Sequence, residues 1–590
     1  MPRSFQVDLR GVVDLLSHHL YSSPDVYVRE LVQNAVDAVT ARGAVGSVIV
    51  ECALGAAGPV LSVEDDGCGL TPDQVHELLS TIGSSSKRDE LLGPRPDFLG
   101  RFGIGLLSCF LVSDEIRLVS LSSAGGPGVS WTGRGDGTYD LVELPAGTGR
   151  TQPGTTVWLR ARPGAEGHLE PGRVRELLVS YAGLLPVRLV LRTADGDEEL
   201  AGRPLPWVDR DEDGLHEVAR GLLGEPALDV LPLSLPAAGL TGLAAVLPVS
   251  PSPTARQRSR VYLKRMLLSD GLEGLLPDWA FFVRVVVDAD AVRPTASREG
   301  LVQDEVLDAV REGLDVALRA WLSGLARHEP LRLQRLVRVH ALALKALAVH
   351  DPELLALFVP WLPMETTLGR MSLGEVAGRS GTVRYAATVD AFAQVAQVAS
   401  AEGVCLVNAG YTYDEELLLR LPAVLPGVAV QRVEPADLLA VVHEVDAQDR
   451  ELAQGLAVRA DEVLAPLGCQ VQVRAFAPVS LPCLYTAGDA ARFGRAVDDA
   501  RPGAGAFWGG VLDTVASTRE RSGSAQLVLN LRCPVVRRLA QPGVGPVFRA
   551  AVEMLYVQAL LLGRHPLRGA ETRLLGTALI QVLEEGVGSG

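Results

Sequence analysis

The sequence YVRELVQNAVDAVTAR, residues 27–42, has the pattern of a helix with an apolar stripe and a polar row. Glu30, Asn34 and Asp37 stand four and three residues apart, so on a helix they form one polar row. Such a row is either a solvated surface or one wall of a polar site, and the helix alone does not distinguish the two. The apolar residues also fall at helical spacing and predict a buried stripe, formed by Val28, Leu31, Val32, Ala35, Val36 and Val39.

Length and composition describe a globular chain of several domains. With 590 residues the chain is too long for a single hydrophobic core, and about three or four domains are expected. Hydrophobic residues make up 47% and charged residues 21%, which is typical of folded protein. The formal net charge of −16 argues against a nucleic-acid binder whose affinity rests on neutralising phosphates.

The cysteines and the apolar segments favour a cytoplasmic protein. The seven cysteines are scattered without a CxxC pair, so neither a disulfide framework nor a cysteine zinc site is expected. The opening residues lack the apolar stretch of a signal peptide. An uncharged segment, residues 230–249, is long enough to span a bilayer, but three prolines and two glycines interrupt it. That segment is therefore predicted to form short buried strands.

An acidic, glycine-rich turn follows the first helix by about 25 residues. In LSVEDDGCGLT, residues 61–71, an apolar run ends at Asp65 and the chain then turns through Gly67 and Gly69. A carboxylate held at a strand end can accept a hydrogen bond from an exocyclic amine, and glycines let a flat base approach the backbone. Acidic glycine-rich turns without a ligand are also common, so this motif indicates a nucleotide site only together with other motifs in the chain.

A glycine-rich loop and a threonine-bearing strand come next. FLGRFGIGLLSCFLV, residues 98–112, places Gly100, Gly103 and Gly105 before an apolar helical run. This pattern is typical of backbone N–H groups that bind phosphate at a helix N-terminus, although a tight turn into a buried helix has the same pattern. QPGTTVWLR, residues 152–160, places Thr155 at the start of a strand, where its hydroxyl can join an adenine network.

The order and spacing of these motifs resemble the ATP-binding fold shared by gyrase, heat-shock protein 90, histidine kinases and MutL. No GxxxxGK[ST] phosphate-binding loop occurs in the chain. The closest resemblance is to the heat-shock protein 90 family of the bacterial HtpG type, in residues 5–38, 80–87 and 100–115. Residues 261–303, with Ser297-Arg298-Glu299, are similar to that family's middle domain, and residues 527–563 resemble its C-terminal domain more weakly.

This resemblance implies an α/β multidomain fold and a chaperone function. It implies an N-terminal α/β sandwich of the GHKL (Bergerat) ATP-binding type in residues 1–200. It also implies an α/β middle domain in residues 215–440 and a small α+β C-terminal dimerisation domain in residues 441–590. Such a protein would be a cytoplasmic, stress-response ATPase that uses ATP/ADP and Mg²⁺. Its partners would be a second copy of itself and unfolded or partly folded clients, with no nucleic acid and no membrane.

The resemblance also implies roles for individual residues. Glu30 would be the general base that activates water, and Arg298 would reach in from the middle domain to neutralise charge in the transition state. Asn34 would hold Mg²⁺ together with the phosphates, and Asp65 would bind the adenine amino group. The other nucleotide contacts would come from Asp37, Gly69, Gly100, Phe102, Gly103, Gly105 and Thr155.

The chain departs from the family pattern at three places. Thr295 and Val302 stand where the family usually has asparagine and glutamine, and SSSK, residues 84–87, replaces the Ser-Gly-Thr sequence that is usual at the start of the family's lid. These changes bear on hydrolysis more than on binding, so an alternative is a nucleotide-switched scaffold with little or no hydrolysis. A histidine kinase would usually carry asparagine at the position of Glu30. A gyrase or MutL relative would supply a lysine from its second domain, for which Lys264 is the candidate.

Overall fold

The computed structural model describes residues 23–43, 46–55, 58–80, 105–145, 147–251, 258–295, 300–434, 444–487, 525–545 and 547–588. The chain divides into two compact units, residues 1–324 and 325–590. Both contain sheets and helices, which confirms the predicted α/β multidomain class. The three predicted domain ranges stay a prediction. None of the helices among the described residues is long and apolar enough to cross a membrane.

An eight-stranded sheet opens the first unit, in the strand order β5-β4-β3-β6-β2-β1-β7-β8. All neighbouring strands are antiparallel except β1 and β7. Its elements are α1 (Val26–Arg42), β1 (Ser47–Gly55), β2 (Gly58–Asp65), α2 (Pro72–Ser80), a 3₁₀ helix (Gly105–Leu111), β3 (Glu115–Leu121), β4 (Gly128–Arg134), β5 (Tyr139–Leu144), β6 (Gly154–Arg160), a second 3₁₀ helix (Glu166–Leu169), α3 (Pro171–Ala182), β7 (Arg188–Thr193) and β8 (Gly196–Glu199).

A five-stranded sheet, ordered β12-β11-β13-β10-β9, completes the first unit. The uncharged segment at residues 230–249 contributes two of these strands, which confirms that it folds as short buried strands. The elements are α4 (Glu212–Leu223), β9 (Asp229–Leu235), β10 (Leu240–Val246), β11 (Ser259–Leu263), β12 (Met266–Leu272), β13 (Val283–Ala289) and α5 (Glu305–His328).

Two smaller sheets belong to the second unit, one of five strands (β15-β14-β17-β16-β18) and one of three (β19-β21-β20). The first sheet and its helices are formed by α6 (Pro330–His350), α7 (Pro352–Phe358), β14 (Pro363–Thr366), β15 (Gly369–Ser372), α8 (Leu373–Ser380), β16 (Thr382–Ala386), α9 (Val389–Ala401), β17 (Leu406–Asn408), α10 (Asp414–Val424) and β18 (Ala429–Arg432). The second is formed by α11 (Arg450–Leu464), β19 (Cys469–Arg474), β20 (Cys483–Thr486), β21 (Ala525–Asn530), α12 (Pro534–Ala540), α13 (Val547–Leu562) and α14 (Gly569–Gly588).

Helix α1 packs against the first sheet and contributes to its hydrophobic core. Its predicted apolar stripe is confirmed, because each of those six side chains is less than 5% exposed. They join one hydrophobic cluster with the sheet strands and the 3₁₀ helix at residues 105–111. Burial of a large apolar side chain contributes about 1.5–3 kcal/mol, so this stripe holds the helix in place. The helix ends at Gly43, whose left-handed φ of 70° lets its N–H reach Thr40 O.

A cluster of charged side chains fixes the start of α1. Asp25 is 6% exposed, and its two carboxylate oxygens lie 2.7 Å from His168 Nδ1 and 2.5 Å from Arg173 Nη2. The Tyr27 hydroxyl donates to His168 O at 2.7 Å. Burial alone would raise the pKa of Asp25, but the hydrogen bonds from Arg173 and His168 outweigh it and lower that pKa. The helix therefore enters the core at a fixed angle.

We expect Asp25→Asn to lower the free energy of unfolding by about 1–3 kcal/mol, because two hydrogen bonds to a buried charge are weakened. Urea unfolding of the two proteins measures this difference. Asp197→Asn is the matched control, since Asp197 also pairs with an arginine but on an exposed strand, and its unfolding midpoint should not change. Equal unfolding midpoints for both variants and the natural protein would contradict a stabilising role for the charged cluster around Asp25.

Candidate nucleotide-binding site

Strand pairing places three polar residues side by side in the middle of the first sheet. Asp65 ends β2 and lies opposite Thr155, the second residue of β6. Thr155 lies opposite Ser120 of β3 on its other side. All three are buried, with Asp65 5% and Thr155 9% exposed. Because these polar side chains are buried on neighbouring central strands, they need hydrogen-bond partners within the protein.

A hydrogen-bond network holds these residues in one arrangement. Asp65 Oδ1 accepts from Gly67 N at 2.9 Å and from Thr155 N at 3.2 Å. The hydroxyls of Thr155 and Ser120 are 2.8 Å apart, and Ser120 Oγ accepts from Leu70 N at 2.8 Å. Because backbone N–H groups orient both the carboxylate and the hydroxyls, their positions are set before any ligand arrives.

Burial controls the charge of Asp65. It raises the pKa of this carboxyl to about 6, although hydrogen bonds from Gly67 and Thr155 and the charge of Arg150 oppose the rise. The group is therefore ionised at neutral pH and takes up a proton in mildly acidic solution. A buried carboxylate with a perturbed pKa is a frequent mark of a functional site.

Two glycines allow the backbone of β6 and the acidic turn to approach each other. Gly69 has a φ of +61°, and a Cβ on it would lie 2.0 Å from Leu121 O. Gly154 has a φ of +135°, and its Cβ would lie 2.1 Å from Asp65 O. Neither position accepts a side chain, because the atoms in the way are backbone atoms. These glycines keep Asp65 within reach of Thr155.

Two residues of the polar row of α1 are buried. Glu30 is 2% exposed and Asp37 9%, whereas Asn34 between them is exposed. Glu30 faces the end of the glycine-rich loop, because a Cβ on Gly105 would lie 2.3 Å from Glu30 Oε2. Arg29 Nε lies 3.5 Å from Glu30 Oε1. A carboxylate thus stands against a glycine backbone inside the domain, and an amide one turn away faces solvent.

The C-terminal half of α1 joins this row to the acidic turn. Cys68 N donates to Ala38 O at 3.0 Å, and a Cβ on Gly67 would lie 2.5 Å from Ala38 C. The structure therefore brings Asp65, Gly69 and Thr155 together in one group and Glu30 and Gly105 in another. Helix α1 packs against the acidic turn of the first group and carries Glu30 of the second. Asp37 lies in the part of α1 that adjoins the acidic turn.

Some predicted site residues lie outside the described residues: Gly100, Phe102, Gly103 and Arg298. Of the sequence around Arg298, Thr295 N donates to Gly300 O at 2.9 Å and Val302 N donates to Arg293 O at 2.8 Å. Lys264, the lysine considered for a gyrase-type site, lies at the turn between β11 and β12.

The structure adds two residues that the sequence did not single out. Ser120 completes the hydroxyl pair, but a single serine in the strand EIRLVSL gives no signal of its role. Arg150 donates from Nη2 to Asp65 O at 2.9 Å and lies 3.2 Å from Glu64 Oε1 through Nη1. An arginine in a glycine-rich turn is equally uninformative in sequence, because Asp65, whose carbonyl it binds, is 85 residues away.

Comparison with known proteins identifies the same part of the chain. Residues 21–126 match the family of histidine kinase-, DNA gyrase B- and HSP90-like ATPases. The chaperone protein HtpG of Azorhizobium caulinodans is 28% identical over 358 residues, covering 55% of this chain and 56% of that protein. HtpG of Streptomyces coelicolor is 30% identical over 397 residues, covering 59% and 62%. HtpG of Chlorobium luteolum is 24% identical over 359 residues, covering 55% and 56%.

The chain therefore spans little more than half the length of the curated relatives that it matches. The matched family model covers α1 with Glu30, the turn with Asp65 and Gly69, and the 3₁₀ helix that begins at Gly105. The resemblance drawn from the sequence is thereby confirmed: the chain is similar to HtpG chaperone proteins, and residues 21–126 match the ATPase family of the histidine kinase, DNA gyrase B and HSP90 type.

Proposed function

We propose that this chain is an ATP-dependent molecular chaperone that binds ATP or ADP in the site of the first sheet and hydrolyses ATP slowly. Nucleotide binding and hydrolysis would drive lid and dimer closure and so remodel partly folded client proteins. The observation that carries the proposal is the buried Asp65, held by Gly67 and Thr155 on the sheet that packs against the Glu30 helix.

The adenine end of the site is formed by Asp65, Thr155 and Gly69. An ionised carboxyl only accepts hydrogen bonds, so it suits the exocyclic amine of adenine and repels the carbonyl oxygen that guanine carries there. Thr155 can both donate and accept, so it can serve a ring nitrogen directly or through a water. Gly69 leaves backbone rather than side chain beside the base. This donor and acceptor pattern favours adenine nucleotides over guanine nucleotides.

The phosphate end is formed by Glu30, Asn34 and Gly105. Glu30 would act as the general base that orients and activates water on the γ-phosphate, and its burial gives it a fixed position. The exposed Asn34 carries an amide oxygen, a donor that Mg²⁺ accepts beside phosphate oxygens and water, so the residues fit this ion. When bound, Mg²⁺ neutralises charge on the phosphates.

Arg298 of the predicted middle domain would supply the last positive charge. A cation from a separate domain makes hydrolysis depend on domain closure, which suits a slow, conformationally gated ATPase. Thr295 and Val302, in place of the usual asparagine and glutamine, bear on the rate of this step. The alternative function is a scaffold that changes conformation when nucleotide binds, with little or no hydrolysis. It uses the same binding site and differs from the ATPase only in the hydrolysis step.

The C-terminal helices support the proposed homodimer. Leu579, Ile580 and Leu583 of α14 are 43%, 57% and 56% exposed, and their spacing puts them on one face. Leu561 and Leu562 at the end of α13 are also exposed, at 53% and 42%. Adjacent exposed apolar side chains of this size mark an interaction surface more often than a solvated one. All seven cysteines are free thiols, which suits the proposed cytoplasmic location.

We expect Asp65→Asn to abolish nucleotide binding and leave folding intact, because asparagine still accepts from Gly67 but presents no charge to adenine. In the natural protein, burial of the ionised carboxyl lowers the free energy of unfolding by up to about 3 kcal/mol above pH 6 and has no effect below pH 4. The Asp65→Asn variant should therefore be at least as heat-stable as the natural protein at pH 7.5. In the natural protein, ADP affinity should fall as pH drops through about 6.

Calorimetric titration with ADP at pH 5.5, 6.5 and 7.5 measures this affinity. Asp66→Asn is the matched control, since the Asp66 carboxylate accepts from Ser47 N instead, and it should bind ADP like the natural protein. Unchanged ADP binding by Asp65→Asn would refute the adenine assignment. Tighter binding of GDP than of ADP would refute it as well.

We expect Glu30→Gln to bind ADP normally and to lower the ATPase rate about 10²–10⁴-fold, because only the proton acceptor is lost. Arg298→Ala should lower it about 10³-fold, with binding equally intact. Phosphate release under saturating Mg-ATP measures both rates, and Glu51→Gln on the exposed side of β1 is the control with full activity. Equal ATPase rates in the natural protein and both variants, with ADP binding intact, would refute the proposed ATPase activity and favour the scaffold that does not hydrolyse nucleotide.

We expect Ile580→Asp to convert the dimer to a monomer, since a charge in the centre of an apolar interface remains without a partner. Sedimentation velocity distinguishes the two states. Val458→Asp is the matched control, because Val458 on α11 is 56% exposed and Ile580 57%, and this variant should remain dimeric. A natural protein that sediments as a monomer would contradict the proposed dimer, and so would a dimeric Ile580→Asp variant.

A further inference from the structure

A cluster of three metal-binding side chains lies at the start of the second sheet, on residues that the nucleotide site does not use. Glu212 and His216 belong to α4, and Asp229 is the first residue of β9. One ligand atom from each residue lies within 4.8 Å of the other two. Two carboxylate oxygens and one imidazole nitrogen thus converge from a helix and a strand.

The local structure explains why these atoms converge. Glu212 and His216 are four residues apart, so they lie one above the other on the same face of α4. That face packs against β9, where Asp229 Oδ1 accepts from Val230 N at 2.7 Å. Asp229 is 5% exposed and is therefore held rigidly, whereas His216 is half-buried and Glu212 is exposed. The cluster has a fixed inner ligand and a side that is open to solvent.

The ligand set selects the kind of metal. Imidazole together with carboxylate suits borderline divalent ions such as Zn²⁺, Co²⁺ and Ni²⁺, whereas Ca²⁺, Mg²⁺ and Mn²⁺ favour oxygen ligands. Three protein ligands with an open side leave at least one position for water. The surrounding sequence DRDEDGLHE, residues 209–217, is strongly acidic and attracts cations. The positive end of the α4 dipole opposes this attraction, but Asp211 caps the helix and accepts from Gly214 N at 2.9 Å.

We propose that Glu212, His216 and Asp229 form a binding site for a divalent transition-metal ion, with Zn²⁺ as the best match. The ion would join the start of α4 to the edge strand β9 and so brace this end of the second sheet. The site is independent of the nucleotide site, because it shares no residue with it. Its function would be structural or regulatory, since metal occupancy would change the stability of the first unit.

Cobalt is the probe that tests this proposal, because bound Co²⁺ absorbs visible light and reports its ligands. We expect the full-length, chelator-treated protein without nucleotide to bind one Co²⁺ with weak d–d bands and without the strong near-ultraviolet band of cysteine ligands. Zn²⁺ should displace this Co²⁺ and raise the unfolding temperature. His216→Ala should weaken Co²⁺ binding about tenfold or more, and Glu212→Gln should weaken it less.

His328→Ala is the matched control, since His328 is exposed on another helix and should not affect the cobalt spectrum. His216 and Glu212 are not fully buried, so both variants are expected to fold, and circular dichroism checks this. Identical Co²⁺ affinity and spectra in the natural protein and in His216→Ala would overturn the proposal. A spectrum dominated by sulfur ligands in the natural protein would also overturn it.

Discussion

The pairing of β2 with β6 is the constraint on which the site depends. It places Asp65 opposite Thr155, and the two are joined by a hydrogen bond from Thr155 N. Gly154 is required at this crossing, because a side chain would collide with Asp65 O. A slip of one residue between these strands would turn Asp65 to the other face of the sheet and separate it from its partners.

Two buried aspartates of the first unit carry their charge in different surroundings. Asp25 is surrounded by Arg173 and His168, which lower its pKa and make its charge stabilising. Asp65 has two backbone donors and the more distant charge of Arg150, and burial raises its pKa to about 6. The first charge is neutralised within the fold, whereas in the proposed site the second would meet the adenine amino group of a bound nucleotide. Keeping the Asp65 carboxylate ionised lowers the free energy of unfolding. A buried carboxylate with such a perturbed pKa is a candidate for a functional site.

The sequence predicted the helix and the motifs but not the network between them. The apolar stripe and the polar row of α1 follow from a period of 3.6 residues, which is a local property. Asp65 was identified because an acidic strand end and a glycine turn are adjacent in the chain. Ser120 and Arg150 could not be found this way, because strand order and register bring Ser120 to Thr155 across 35 residues and the fold brings Arg150 to Asp65 across 85. The metal cluster joins a helix to a strand and depends on tertiary packing too.

A crystal structure of the full chain with Mg-ADP would show whether adenine binds at Asp65. It should place the adenine amino group about 3 Å from the carboxylate of Asp65, with Thr155 on the same side of the base. The phosphates should lie towards Asn34 and the amide of Gly105, and Glu30 should face the position of the γ-phosphate. A nucleotide bound elsewhere, or bound here with its amino group turned away from Asp65, would contradict the proposed nucleotide site.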